Sequence, residues 1–302
     1  MDRIVECVPN FSEGRNAATV QALVAAVAAV PGVRLLDHTM DPDHHRSVLT
    51  FAGEPMAVEA AAFHAITVAT TRIDLRQHAG VHPRIGATDV VPFVPLRGVT
   101  MEECVQSARR VGQRIGTELG IPVFLYEQAA TQPVRTRLEA IRRGGLSGLA
   151  ARMESDPVWR PDFGPSSVHP TAGAVVTGAR PPLIAFNVNL ASHDVAIARA
   201  IAKTVRESNG GLPCVKAIGV ALASRSLVQV AMNLTDYRVT SMETAFRAVQ
   251  AEADKAGVRI AGSELIGLVP QTALGPATVQ TVRLERFDPM QVLETRLAAT
   301  AG

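Results

Sequence analysis

The order of predicted secondary-structure elements repeats once along the chain, and this repeat constrains the fold more than any other feature. In each half, a buried strand is followed by a helix, two paired strands, a second helix and a last strand. The first copy opens with IVECVPN (Ile4–Asn10) and the second with LIAFNVNL (Leu183–Leu190). This βαββαβ order is typical of a ferredoxin-like sheet. We therefore predict an α+β fold of two ferredoxin-like α/β subdomains with a cleft between them, a favoured place for a ligand.

The repeat also predicts where the subdomains begin and end. The first half carries an extra segment, residues 99–155, in which two helices flank the strand Gly120–Ala129. A Gly- and Pro-rich segment, residues 156–182, joins the halves. We predict an N-terminal subdomain over residues 1–180 and a C-terminal subdomain over residues 181–302.

Composition excludes several classes of protein. The 302 residues include 30 Lys and Arg against 28 Asp and Glu, a net charge of +2, with 4% aromatic residues. Such balance argues against a nucleic-acid-binding face, which needs clustered basic residues and stacking platforms. The N-terminus lacks the pattern of a signal peptide, and no window approaches the roughly 20 apolar residues of a membrane span. Three widely separated cysteines suit reduced thiols. We predict a cytoplasmic protein with no nucleic-acid or membrane partner.

The stretch QHAGVHPRIGATDVVPFVP (Gln77–Pro95) contains the first candidate catalytic residue. Pro83 biases His82 towards an extended backbone, and the neighbouring glycines permit close approach of a ligand. An imidazole exchanges protons near neutral pH, so His82 suits general acid–base chemistry. Arg84 and Asp89 follow closely enough to orient an anionic substrate or the imidazole, and His78 is a neighbour that shapes the site. A histidine satisfied by backbone partners in a tight loop explains the local pattern equally well.

Two other polar segments raise ligand-binding questions. In Gly164–Gly173 (GPSSVHPTAG), two glycines bracket small hydroxyl residues, which suits a loop that wraps an extended planar ligand. In DHTMDPDHHR, His38, His44 and His45 superficially resemble a metal site, but their spacing matches neither the His-Glu-x-x-His helix pair nor a Cys/His finger. A polar hairpin loop explains them better. We predict no metal.

Four segments carry a resemblance to a known family: IVECVPNFSEGR, HPRIGATDVVPFVPLRGVTMEECV, PDFGPS with the glycine-rich loop after it, and LIAFNVNL. They occur in the same order over nearly the whole chain in the glutamate formiminotransferase family, whose mammalian members form part of formiminotransferase-cyclodeaminase. The sequence closely resembles that family. The resemblance implies a homodimer of two-subdomain chains that transfers the formimino group from N-formimino-L-glutamate to N5 of tetrahydrofolate in histidine degradation.

The resemblance also implies roles for particular residues. His82 matches the catalytic histidine, and tetrahydrofolate is a co-substrate rather than a bound cofactor. Arginines near the cleft, including Arg180, would clamp the carboxylates of both substrates. The implied folate-binding residues are Gly164, Pro165, Ser166, Ser167, Val168, His169, Pro170, Thr171, Ala172 and Gly173. The implied substrate-binding residues are Arg46, Arg84, Asp89, Asn187 and Asn189.

The sequence departs from the family pattern at two positions. Thr39 stands where the family has an acidic residue, and His45 stands where it has an asparagine, so Asp37 or Asp41 is a candidate for the second acid–base group.

Two further functions use the same fold: a formyltransferase acting on N-formylglutamate and tetrahydrofolate, and a non-catalytic folate-binding homologue. A metal hydrolase built on His38, His44 and His45 is a third, from a different class.

Overall fold

The computed structural model describes residues 3–78 and 83–300, and these divide into two compact units. The division falls between Arg180 and Pro181. Each unit has its own sheet, with helices packed against it. The predicted α+β class is therefore confirmed.

The first unit is built on a seven-stranded sheet. Its central strand is interrupted at Val8-Pro9, so two short strands, β1 and β2, together occupy one position between β4 and β5. The spatial order is β3, β4, β1 with β2, β5, β7 and β6. The strands are β1 (Ile4–Cys7), β2 (Asn10–Phe11), β3 (Val33–Asp41), β4 (Arg46–Gly53), β5 (Thr88–Arg97), β6 (Val123–Glu127) and β7 (Val175–Ala179).

The helices of the first unit cover both faces of part of the sheet. One face packs against α1, α2 and α3 through buried side chains such as Leu23, Ile66 and Val111. At the edge, β6 and β7 run parallel to β5, and α4 and α5 cover their other face through Ile141 and Leu149. Parallel strands generally need cover on both faces. The helices are α1 (Ala17–Ala28), α2 (Pro55–Arg72), α3 (Met101–Glu118), α4 (Leu138–Arg142) and α5 (Gly145–Ser155).

The second unit is a four-stranded antiparallel sheet in the order β11, β8, β10, β9. In chain order this places the fourth strand beside the first, then the third and the second. Alternate residues of β8, including Phe186 and Val188, pack on the helices, while Asn187 and Asn189 point to the opposite face. The elements are β8 (Ile184–Leu190), α6 (Val195–Val205), β9 (Val215–Leu222), β10 (Leu227–Leu234), α7 (Met242–Lys255), β11 (Ile260–Ile266), α8 (Thr278–Thr281) and α9 (Leu293–Ala299).

Within residues 3–78 and 83–300, every helix is too short or too polar to cross a bilayer.

Candidate active site

Three loops of the first unit meet at one end of its sheet. They are residues 12–16 after β2, residues 42–45 between β3 and β4, and residues 83–87 before β5. The Ser12 hydroxyl donates to the Gly86 carbonyl at 2.7 Å, which joins the first loop to the third. Arg84 joins the third loop to the second, because its guanidinium donates to the carbonyls of His44 at 2.7 Å and His45 at 3.0 Å.

Glycines allow these loops to approach so closely. A Cβ atom on Gly14 would lie 2.1 Å from the Asp41 carbonyl oxygen, far inside van der Waals contact. A Cβ atom on Gly86 would lie 2.0 Å from the Ala174 carbonyl oxygen. The glycines of the NFSEGR and PRIGA motifs therefore have a packing reason that the sequence alone did not identify.

Glu13 binds His45 of the second loop and His78, which precedes the third loop in sequence. Its Oε1 lies 3.2 Å from Nε2 of His45, and its Oε2 lies 3.1 Å from Nε2 of His78. Nδ1 of His78 lies 2.7 Å from the carbonyl oxygen of Asp74. Both ring nitrogens of His78 thus lie within hydrogen-bonding distance of an oxygen atom. All three side chains are at most 12% exposed.

The environment keeps Glu13 ionised. Burial alone would raise the pKa of this carboxyl, but hydrogen bonds from the backbone N–H groups of Asn16 and Arg15 and from His78 outweigh it and lower the pKa to about 2. His45 has a positive φ of 48°, a conformation uncommon outside glycine. This backbone turn accompanies the ring's hydrogen bond to Glu13 and the carbonyl's hydrogen bond from Arg84.

Glu13, His45 and His78 are also the residues that can hold a metal ion among those the structure describes, since their ligand atoms lie within 4.8 Å of one another. The two imidazole rings, however, are stacked with centroids 4.6 Å apart and planes 11° apart. The in-plane lone pairs of the two rings then lie in two separate, nearly parallel planes, an arrangement that does not favour binding of one ion by both rings. The geometry favours a hydrogen-bonded carboxylate–histidine network.

The predicted metal alternative used a different set of histidines. His38 is exposed on β3, and Nδ1 of His44 pairs with Asp41 at 2.9 Å. Only His45 of that set belongs to the group formed with Glu13.

Several arginines cluster beside this network. Burial lowers the pKa of Arg46 to about 10, and the charges of Arg142 and Arg84 act in the same direction, while Asp41 and Asp89 oppose them. Asp89, 3% exposed, forms an ion pair with Arg142 and accepts the backbone N–H of Ile85 at 2.7 Å. The cluster brings the guanidinium groups of Arg46, Arg84 and Arg142 close to one another. Guanidinium groups bind carboxylates well, so the cluster suits a carboxylate ligand.

The end of the predicted folate loop is attached to the same region. The backbones of Gly173 and Gly86 are bridged, the Ala87 N–H donates to the Ala172 carbonyl at 2.9 Å, and the Leu75 N–H donates to the Thr171 carbonyl at 2.9 Å. Nδ1 of His169 accepts the Ala172 N–H at 3.0 Å, which shapes the turn. The other end of the loop, residues 164–167, is exposed.

The predicted site residues lie in different parts of the chain's structure, and only some of them are close together. The structure brings Arg46, Arg84 and Asp89 together in the first unit, close to the end of the loop 164–173. His82 lies outside the described residues. Asn187 and Asn189 belong to the second unit, on β8.

Two residues of the site were not identified from the sequence. Glu13 lies within the NFSEGR motif, whose position after a buried strand was a usable indication of function. Arg142 lies in a charged helix with no distinguishing pattern, and only its ion pair with Asp89 reveals it.

A buried carboxylate–histidine network, clustered arginines and a long exposed loop on one α+β unit are features of an enzyme that acts on an anionic small molecule. Two protein-family models match the chain and identify its family. Residues 4–180 match the model of the formiminotransferase domain, N-terminal subdomain, and residues 185–290 match the model of the formiminotransferase domain. The chain belongs to the formiminotransferase family, as the sequence motifs predicted.

Individual relatives agree with this assignment. The chain is similar to the glutamate formimidoyltransferase of Streptococcus pyogenes serotype M1, with 45% identity over 98% of this chain and 99% of that protein. It is 44% identical to the glutamate formimidoyltransferase of Thermoplasma acidophilum over 99% of each chain. It is 45% identical to the formimidoyltransferase-cyclodeaminase of Mus musculus over 91% of this chain, which corresponds to 51% of the mouse protein.

Proposed function

We propose that this protein is a glutamate formimidoyltransferase, which transfers the formimino group from N-formimino-L-glutamate to N5 of tetrahydrofolate. The observation that carries the proposal is the group of Arg46, Arg84 and Arg142 beside the Glu13 network and the loop 164–173. The near-full-length relatives that bear this name support the same reaction.

The arginines account for substrate binding. N-formimino-L-glutamate carries two carboxylates, and a guanidinium binds a carboxylate through two parallel hydrogen bonds. Arg84 is half-buried and fixed through its bonds to His44 and His45, so it is already ordered before a ligand arrives. Such ordering reduces the entropy lost on binding.

The reaction requires two proton movements. The N5 amine attacks the amidine carbon of the formimino group, N5 loses a proton, and the departing nitrogen of glutamate gains one. We assign both transfers to His82 as general base and then general acid, a contribution typically worth about 10²–10⁴-fold. The described neighbours of His82 along the chain support this assignment, since Arg84 is held against the residue 44–45 backbone and His78 is held by Glu13.

Both units would contribute further residues to substrate binding. The folate co-substrate would lie along the loop 164–173, whose exposed residues 164–167 leave room for a planar ring. Arg46, Arg84 and Asp89 would bind or orient the donor, and Asn187 and Asn189 would contribute polar contacts from β8. The two units, residues 1–180 and 181–302, would each be a ferredoxin-like subdomain, as the strand pairings support.

We propose that the enzyme needs no metal, because the stacked rings of His45 and His78 suit a hydrogen-bonded network. We also propose a cytoplasmic homodimer, on the strength of the family and of the free thiols of Cys7, Cys104 and Cys214.

Calorimetric titration tests the binding part of the proposal. Wild-type protein is titrated with N-formimino-L-glutamate and, anaerobically, with tetrahydrofolate, and both are expected to bind. N-formyl-L-glutamate serves as the competing donor, since a formyltransferase would bind it at least as tightly as the formimino compound. Metal-free buffer with a chelator should change none of these results. Failure of tetrahydrofolate to bind would contradict the proposal.

A further inference from the structure

A polar network lies on the sheet of the second unit, on the face opposite its helices. The group is formed by side chains of β8, β10 and β11 with one arginine from the turn between β9 and β10. Its members are Asn187, Asn189, Gln229, Glu264 and Arg225. Asn189 and Gln229 are fully buried, whereas Glu264 and Arg225 are 24% and 37% exposed at the side chain.

Hydrogen bonding fixes the orientation of both buried amides. Nε2 of Gln229 donates to Oε1 of Glu264 at 2.6 Å and to Oδ1 of Asn189 at 2.9 Å. Glu264 as a carboxylate only accepts, so the Gln229 amide nitrogen must face it. Gln229 then uses both of its hydrogens, and Asn189 must present its oxygen to Gln229.

This orientation leaves one donor and one acceptor without partners. Within residues 3–78 and 83–300, neither Nδ2 of Asn189 nor Oε1 of Gln229 makes a hydrogen bond, although both atoms are buried. Buried polar groups in folded proteins nearly always have partners, so an adjacent pair without them calls for an explanation. The two residues stand on neighbouring strands, where Gln229 is directly opposite Asn189.

We propose that Asn189 and Gln229 form a binding subsite for a ligand group that presents a hydrogen-bond acceptor beside a donor. An amide, a lactam or an amidine has this pattern. Nδ2 of Asn189 would donate to its carbonyl oxygen or imine nitrogen, and Oε1 of Gln229 would accept from its N–H. Glu264 accepts hydrogen bonds from both Gln229 and Arg225, and these contacts hold Gln229 in its orientation.

This inference rests on the proposed function for the identity of the ligand. Both co-substrates carry the required chemistry: the formimino group of the donor is an amidine, and the ring system of tetrahydrofolate contains a lactam. The subsite would therefore recognise one of the two co-substrates through its adjacent hydrogen-bond acceptor and donor. This subsite would recognise a hydrogen-bonding pattern, whereas the arginines of the first unit would bind carboxylate charge.

An Asn189→Asp variant changes the unpartnered atom from donor to acceptor while keeping the oxygen that Gln229 needs. Asn189→Ser, which adds no charge, serves as a milder second variant if the aspartate destabilises the fold. Asn233→Asp is the matched control, because Asn233 lies on β10 on the same face as Gln229 but is exposed. Folding of each variant is checked by circular dichroism.

Binding of N-formimino-L-glutamate and of tetrahydrofolate is then measured separately by calorimetry. We expect both Asn189 variants to weaken one co-substrate at least tenfold and to leave the other within about twofold, while Asn233→Asp changes neither. A selective loss of affinity for the donor would identify the amidine as the group bound at the subsite. A selective loss of affinity for tetrahydrofolate would identify the lactam. Wild-type affinity of Asn189→Ser for both ligands would overturn the inference while leaving the proposed function intact. Absence of binding to the wild-type protein would instead overturn the proposed function, and this inference with it.

Discussion

Oε2 of Glu13 lies 3.1 Å from Nε2 of His78, although 65 residues separate them in sequence. The contact ties the loop after β2 to the segment that leads towards His82. The NFSEGR motif thus supplies the carboxylate that holds the side chain of His78.

Replacing Glu13 by glutamine should make the free energy of unfolding less sensitive to a fall in pH. The folded-state pKa of Glu13 is about 2 against an ordinary value of 4.5, so its contribution is fully present above pH 4.5 and is lost as the pH falls towards 2. We expect Glu13→Gln to lower the free energy of unfolding by about 3 kcal/mol at pH 7. The deficit should shrink steadily below pH 4.5.

Urea unfolding at pH 7, 5, 4 and 3 measures this difference. Glu154→Gln, at an exposed position of α5, is the matched control and should behave as wild type. A deficit that stays the same from pH 5 to pH 3 would show that Glu13 does not stabilise the fold through its charge.

Removing the Asp89 charge should destabilise the first unit. In Asp89→Asn, the side-chain oxygen still accepts the Ile85 N–H, but Arg142, 15% exposed at the side chain, loses its counter-charge. Breaking one side of a buried pair costs about 3–5 kcal/mol. Asp236→Asn, which breaks an exposed aspartate–arginine pair, should cost less than about 1 kcal/mol. Equal losses in the two variants, measured by chemical denaturation, would contradict the burial argument.

Replacing Arg84 should weaken binding of the donor without weakening binding of tetrahydrofolate. We expect Arg84→Gln to raise KM for N-formimino-L-glutamate about 10–100-fold, since hydrogen bonds to charged groups contribute about 1.5–3 kcal/mol. Arg84→Lys should recover only part of this, because an ammonium cannot make the bidentate contact. Steady-state kinetics with each substrate varied in turn provide the readout, with the exposed Arg76→Gln as control. An equal rise in KM for tetrahydrofolate would mean that Arg84 supports the loops rather than the donor.

Gly86 should tolerate no side chain. The alanine Cβ would lie 2.0 Å from the Ala174 carbonyl oxygen, so residues 85–87 would have to separate from residues 172–174. Gly86→Ala is expected to lower the melting temperature by several degrees and to weaken tetrahydrofolate binding. Gly275→Ala, whose Cβ would meet its nearest atom at 3.4 Å, should match wild type. Wild-type folate affinity in Gly86→Ala would argue against a role for the loop 164–173.

The sequence predicted the elements of the fold well where hydrophobic periodicity was uninterrupted. The strands at residues 184–190 and 227–234 and the helices that pack on them were all expected. β7 was missed, because its residues (VVTGA) lie in a Gly- and Pro-rich segment that reads as a linker. The parallel pairing of β7 with β5 and β6 depends on contacts distant in sequence, which periodicity does not report.

Motifs identified the site in part. Arg46, Arg84 and Asp89 were predicted from sequence, and the structure places their charges close together. The roles of Glu13, Arg142 and Gln229 appear only in three dimensions, since each depends on a partner at least 32 residues away. A polar residue on a strand has the same local pattern whether it faces water or a buried network.

The rate of formimino transfer from N-formimino-L-glutamate to tetrahydrofolate, with wild type and His82→Ala compared in one steady-state experiment, tests the account most directly. The exposed His64→Ala is the control. We expect transfer that saturates in both substrates, a fall in kcat/KM of about 10²–10⁴-fold in His82→Ala, and no change in the control. Transfer from N-formyl-L-glutamate alone, or an unchanged rate in His82→Ala, would contradict it.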